Sequence, residues 1–152
     1  MGSGKLYTQY FTGGRVMKFF TKMKDGGPDS PVEGYFLFEI KRLCSVALLK
    51  FNKGTRETYH THAFNALTWF IKGSMREQKF GCPLCSVYTR SLLPKVTMRD
   101  NNHRVVAEED SWCFTLRGPW GKYWTEDNVA SGKHTVYTHG RVIVSEYIRK
   151  QN

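Results

Sequence analysis

The stretch Asn52-Lys53-Gly54-Thr55-Arg56-Glu57-Thr58-Tyr59-His60-Thr61-His62-Ala63-Phe64-Asn65-Ala66-Leu67-Thr68-Trp69-Phe70-Ile71-Lys72-Gly73 decides how the chain is read. It sets two histidines one residue apart between two glycines. Alternate side chains of an extended strand share a face, so His60 and His62 can point into one cavity while Tyr59 and Thr61 point away. That is how a strand offers two imidazoles to one metal ion. The flanking Thr58-Tyr59 and Thr68-Trp69-Phe70-Ile71 are β-branched or aromatic, which predicts two strands here and no helix.

A third imidazole is available downstream. In Asp100-Asn101-Asn102-His103-Arg104-Val105-Val106-Ala107, a turn-forming Asp-Asn-Asn delivers His103 to the start of a short apolar strand. Were His103 to join the pair, three neutral imidazoles would form a facial nitrogen set suited to Fe, Zn, Ni, Cu or Mn, with positions left for water, oxygen or substrate. The set carries no negative charge, so an anionic ligand is better tolerated there than beside a carboxylate.

The spacing of Gly54, His60, His62 and Gly73 resembles the first motif of the cupins, small double-stranded β-helix (jelly-roll) barrels. The glutamate usual in that motif is absent; its position falls on Ala66 or Leu67. Of the second motif only His103 matches, since Met98, Asp100 and Ala107 stand where proline, glycine and asparagine are usual. Ser111 to Pro119 and Trp120 to Trp124 resemble the aromatic tails of small cupin-like proteins of bacteria and phages. The resemblance covers roughly residues 45 to 125. It implies an all-β barrel holding a divalent transition metal on His60, His62 and His103, with Fe(II) favoured and Zn, Mn or Ni as alternatives, as in three-histidine thiol dioxygenases.

On a regular strand Thr58 and Arg56 share the inward face with the histidines. Arg56 then either clamps a substrate carboxylate or phosphate bidentately or lies outside the barrel mouth against Glu57 or solvent. Together with Thr68 and Trp112, these are the expected substrate contacts. Trp69, Phe70, Trp112 and Phe114 are the expected water-excluding walls.

Around this centre, short strands recur every ten or so residues: Val16 to Phe20, Val32 to Ile40, Cys44 to Phe51, Met75 to Phe80, Ser86 to Leu93, Val96 to Arg99, His103 to Val106 and Trp112 to Leu116. A C-terminal hairpin is expected at His139-Gly140. The Gly- and Pro-rich Asp25 to Pro31 divides an N-terminal extension, residues 1–31, from a barrel at 32–152, in one domain overall. This pattern predicts a jelly roll without the family resemblance, although another sandwich topology gives similar spacing.

A chain of 152 residues suits one modest core. No apolar run approaches the ~20 residues that cross a bilayer, and the N-terminus lacks the core of a secretion signal. The expectation is a cytoplasmic protein without a membrane partner. The net charge of +10 draws anions. It leaves a small anionic molecule as the expected partner, with nucleic acid not excluded.

Four cysteines include one ligand-like interval, Cys82-Pro83-Leu84-Cys85. That interval reads as a zinc half-site needing other ligands, a redox pair, or a plain turn between strands. No nucleophile elbow or phosphate loop is present, and Glu108-Glu109-Asp110 reads as a solvated turn. His134 and His139 are spare histidines. The functional expectations are a three-histidine, iron-dependent dioxygenase-like enzyme, a binding module that sequesters a small anion such as a nucleotide, or an oligomeric interaction protein such as a homodimer.

Overall fold

The computed structural model describes residues 10–12, 15–26, 30–55, 58–138 and 141–149, and every regular element among them is a strand. In chain order these are β1 (Tyr10–Thr12), β2 (Arg15–Lys24), β3 (Val32–Ile40), β4 (Cys44–Phe51), β5 (Gly54–Thr55), β6 (Thr58–His60), β7 (Ala66–Lys72) and β8 (Met75–Lys79). There follow β9 (Cys85–Tyr88), β10 (Lys95–Thr97), β11 (His103–Ala107), β12 (Ser111–Arg117), β13 (Trp124–Asn128), β14 (Lys133–Tyr137) and β15 (Ile143–Ile148). One antiparallel sheet runs β1-β2-β3-β4-β12-β7-β10; the other runs β15-β14-β13-β6-β11-β8-β9, with β5 also on β11. Strands distant in sequence pair within both sheets, giving the jelly-roll arrangement that the short, regularly spaced strands predict.

Side-chain alternation explains which residues close the space between the sheets. In β4, Ser45, Ala47 and Leu49 are turned in, and in β12 Ser111, Cys113, Thr115 and Arg117 are. Val32, Phe36, Ala47, Leu49, Phe70, Met75 and Cys113 form the main apolar core. Phe70 stacks on Tyr88 of the facing sheet at 4.9 Å and 6°. Burying a side chain of this size stabilises the fold by roughly 1.5–3 kcal/mol. Alternation in β3 holds as far as Phe36, which is buried, and Leu37, which is exposed; the register then slips between Phe36 and Phe38, so the next buried place falls on Glu39 and not on Phe38.

The β7 to β8 turn depends on Gly73, which has φ 91°; a Cβ there would lie 2.2 Å from Ser111 Oγ. Any larger residue displaces β12 as well as straining the turn. β8 and β9 form the hairpin that carries Cys82 in its turn, and Cys85 opens β9 exposed to solvent. The C-terminal hairpin is present as β14 paired with β15; its expected turn residues His139 and Gly140 lie outside the described residues. β1 and β2 extend the edge of the first sheet. No helix among the described residues is long and apolar enough to cross a membrane.

Candidate metal centre

Cross-strand pairing assembles the histidines. His103, the first residue of β11, lies directly opposite His60, the last residue of β6. Directly opposed residues of antiparallel strands share a face at ~4.5–5.5 Å between Cβ atoms, so pairing alone puts these two rings together. The regular strand ends at His60, but the chain stays tied down: Thr61 N donates to Thr125 O at 3.0 Å and His62 N to Arg99 O at 3.0 Å. This carries the His62 ring to 4.9 Å from that of His60 and 5.1 Å from that of His103. The ring nitrogens of the three lie within 4.8 Å of one another, the one such group of histidines, cysteines or acids among the described residues.

His103 is oriented from behind. Its Nδ1 donates to Glu77 Oε1, and Glu77 is itself buried. Lys95 Nζ donates to the same carboxylate at 2.6 Å, and Tyr88 donates through its hydroxyl at 2.8 Å. Burial alone would raise the Glu77 carboxyl, but the hydrogen bonds from His103 and Lys95, with their charges, outweigh it and hold the group well below the usual carboxylate range. An ionised carboxylate only accepts, so the His103 proton sits on Nδ1 and Nε2 is left to face inward. Burial, followed by the bond to Glu77, pushes the Tyr88 hydroxyl up to about 12.

The inward Nε2 of His103 stands 2.9 Å from Nε2 of His62. Two imidazole nitrogens this close need a shared proton or a shared cation. Imidazole nitrogens are donors that divalent transition metals commonly take, and three of them converge here. The donor set therefore fits a divalent transition metal, and the buried carboxylate behind one ligand is the support such ligands commonly have.

The histidines open onto a cavity of about 190 Å³ between the sheets. This is below the ~300–1,000 Å³ of pockets that hold drug-sized ligands, so the space suits a molecule of a few heavy atoms. Phe64, Phe70, Trp120 and Trp124 supply aromatic wall, while Thr68, Thr97, Lys95 and Arg117 supply polar groups.

The expected contacts and walls divide between this cavity and places away from it. Trp112, Trp69 and Phe114 do not line this cavity: the inward places on β12 belong to Cys113 and Thr115, so Trp112 stacks on Tyr35 at 5.7 Å and Trp69 packs on Phe114 on the outer face. Thr58 also stands off the wall, its carbonyl facing His60 Nδ1 at 3.5 Å. Thr61 lines the cavity instead of pointing away, because strand alternation stops at His60. Thr68 does line the cavity, and Arg56 lies outside the described residues.

Glu77, Lys95, Arg117 and Glu126 were not anticipated. Glu126 of β13 lies opposite His60 on the other side from His103 and is bound by Arg141 at 2.8 and 3.1 Å. The available signal was period-two alternation, which turns Met75 and Glu77 to the same side of β8.

No family model and no curated protein matches the sequence. Solved structures do. An RmlC-like cupin from Shewanella frigidimarina NCIMB 400 is 14% identical with a TM-score of 0.51, over 76% of this chain and 95% of that one. A protein described as a sugar phosphate isomerase of the cupin superfamily, from Silicibacter pomeroyi DSS-3, is 7% identical with a TM-score of 0.54, over 90% and 89%. KdgF from a Halomonas species is 16% identical with a TM-score of 0.50, over 67% and 94%. At these identities the likeness is one of fold: the chain has a cupin-like jelly-roll fold, and its three histidines cluster within the barrel.

Proposed function

We propose that the protein is a metal-dependent enzyme of the dioxygenase kind, acting on a small anionic molecule at His60, His62 and His103. The observation that carries this reading is the 2.9 Å approach of His62 and His103 Nε2 atoms, with Glu77 fixing the His103 proton on the far nitrogen. When bound, a divalent metal supplies Lewis-acid or one-electron chemistry at the positions three imidazoles leave open. The chain's own residues do the rest. Glu77, Lys95 and Tyr88 hold the His103 ring in one orientation, and the aromatic wall excludes bulk water from the reacting end. A neutral ligand set leaves the charge of the metal uncompensated, which favours an anionic substrate. Fe(II) is the favoured ion, with Zn, Mn and Ni able to use the same nitrogens.

Elemental analysis of protein purified without chelator tests the metal. Near-stoichiometric transition metal in the wild type, lost in a His60→Ala/His62→Ala double variant, is expected; no metal in the wild type removes the proposal. Oxygen uptake by Fe(II)-loaded protein over a panel of small carboxylates and thiols tests turnover. Stoichiometric metal with no uptake on any member would instead favour a module that sequesters an anion.

A further inference from the structure

The cavity holds a buried arginine that the metal centre does not use. Arg117 ends β12 in a cross-strand row with Glu39, Ser45 and Ala66, all four buried. Its guanidinium lies over Phe64 at 4.7 Å and Phe36 at 5.4 Å, and Phe64 is in turn 5.4 Å from the His62 ring. One phenyl ring therefore separates Arg117 from the metal ligands. Replacing a buried ion pair by apolar residues of similar volume is often neutral or stabilising, so fold stability alone is a poor account of a charge placed here.

The partner is Asp25, on the turn after β2. It accepts both ends of the guanidinium fork, at 2.9 and 2.7 Å. The two partners differ in access: the Arg117 side chain is 3% exposed and that of Asp25 25%. Arg117 Nε, also buried, meets no acceptor among the described residues. Asp25 and Arg117 both line the same cavity as the three histidines. The arrangement is a rigid, deeply held arginine whose planar fork is occupied by a carboxylate from a more accessible turn.

We propose that Arg117 is the carboxylate-recognition group of the site, that Asp25 stands in for the carboxylate of the ligand, and that the ligand exchanges for Asp25 while its other end reaches the metal. This rests on the metal reading above and narrows its substrate to a small molecule with a carboxylate at one end and a metal-binding oxygen at the other. The exchange swaps one carboxylate for another, so the buried charge is unchanged. Glu39, turned in on the same row, remains near the guanidinium throughout. The ligand gains over Asp25 by its second anchor, since tethering at two points makes the second contact intramolecular.

Titration calorimetry of zinc-loaded protein with acetate, malonate, succinate and glutarate tests this. One dicarboxylate length binds about tenfold or more tightly than acetate. Asp25→Asn, which removes the competing charge, tightens that dicarboxylate about fivefold or more, whereas a merely structural ion pair predicts no gain. Arg117→Lys loses about tenfold for the dicarboxylate with zinc content unchanged, because an ammonium lacks the planar fork.

An Asp25→Asn affinity equal to or below wild type overturns the proposal, as does an Arg117→Lys protein that keeps its preference for the dicarboxylate. If Arg117→Lys fails to fold, the Asp25→Asn result decides alone. Zinc content is measured on the same samples, so failure of the metal site is seen separately. The Asp25→Asn comparison, repeated on metal-free protein, still decides whether Arg117 binds carboxylate.

Discussion

Two buried histidines sit on opposite faces of one sheet, and each has a carboxylate at Nδ1. His103 has Glu77, and its Nε2 meets His62 inside the barrel. His134 has Asp127 at 2.6 Å, and its ring packs on Tyr147 with Arg149 Nη2 3.0 Å from Nδ1. Register explains the separation. Asp127 lies opposite Tyr59 and His134, so Tyr59, Asp127, His134 and Tyr147 form a row on the outer face, while the neighbouring row of His103, His60, Glu126 and Thr135 faces inward. A histidine–carboxylate pair is therefore a general way to bury an imidazole. What sets the inner pair apart is the convergence of three rings, which among the described residues only the inner face has.

The largest contrast should appear in metal-linked stability. Zinc at about a hundred times its dissociation constant should stabilise wild type by about 2.7 kcal/mol. Thermal unfolding should show this gain abolished in His62→Ala and retained in His134→Ala. Loss of the gain in both would mean that metal binding is not confined to the inner face.

Next in size, Glu77→Gln should weaken zinc by about 10–100-fold, because it releases the orientation of His103 without removing a ligand. Competition with a chromogenic chelator measures this. The matching outer change, Asp127→Ala, strips partners from His134, Asn102 and Arg149. It should cost about 1–3 kcal/mol in urea unfolding and leave zinc affinity alone. An unchanged affinity in Glu77→Gln would break the distinction between the two pairs.

The smallest effect concerns Tyr88. Its hydroxyl is raised from 10.0 to about 12 in the folded chain, so it favours the folded state fully below pH 10 and loses that contribution as pH rises through 12. Tyr88→Phe keeps the stack on Phe70 and should cost about 1 kcal/mol near neutral pH. Ultraviolet titration should show one fewer late-ionising tyrosine in the variant.

Much of the barrel was legible because apolar and aromatic strands announce themselves. Val32–Ile40 and Cys44–Phe51 fall at their expected bounds, and His103 opens β11 as its Asp-Asn-Asn turn implies. β13 was not legible: Trp124-Thr125-Glu126-Asp127-Asn128 reads as polar, yet Glu126 and Asp127 are both buried, one on Arg141 and the other on His134. Hydrophobic patterning misses inward acids whose partners lie elsewhere in the chain. Glu77 and Lys95 were hidden for the same reason, since their pairing crosses between the two sheets. The histidine spacing was readable locally because two ligands come from one segment. The walls were not, because the strand's end at His60 and the inward turn of Cys113 depend on pairing.

X-ray absorption at the metal edge of protein loaded with a transition metal tests the central claim most directly. Scattering from three imidazoles and none from sulfur is the expected result, and it should fall to two imidazoles in His62→Ala. Sulfur in the wild-type shell, as from Cys82 and Cys85, or fewer than three imidazoles, would contradict the assignment of His60, His62 and His103.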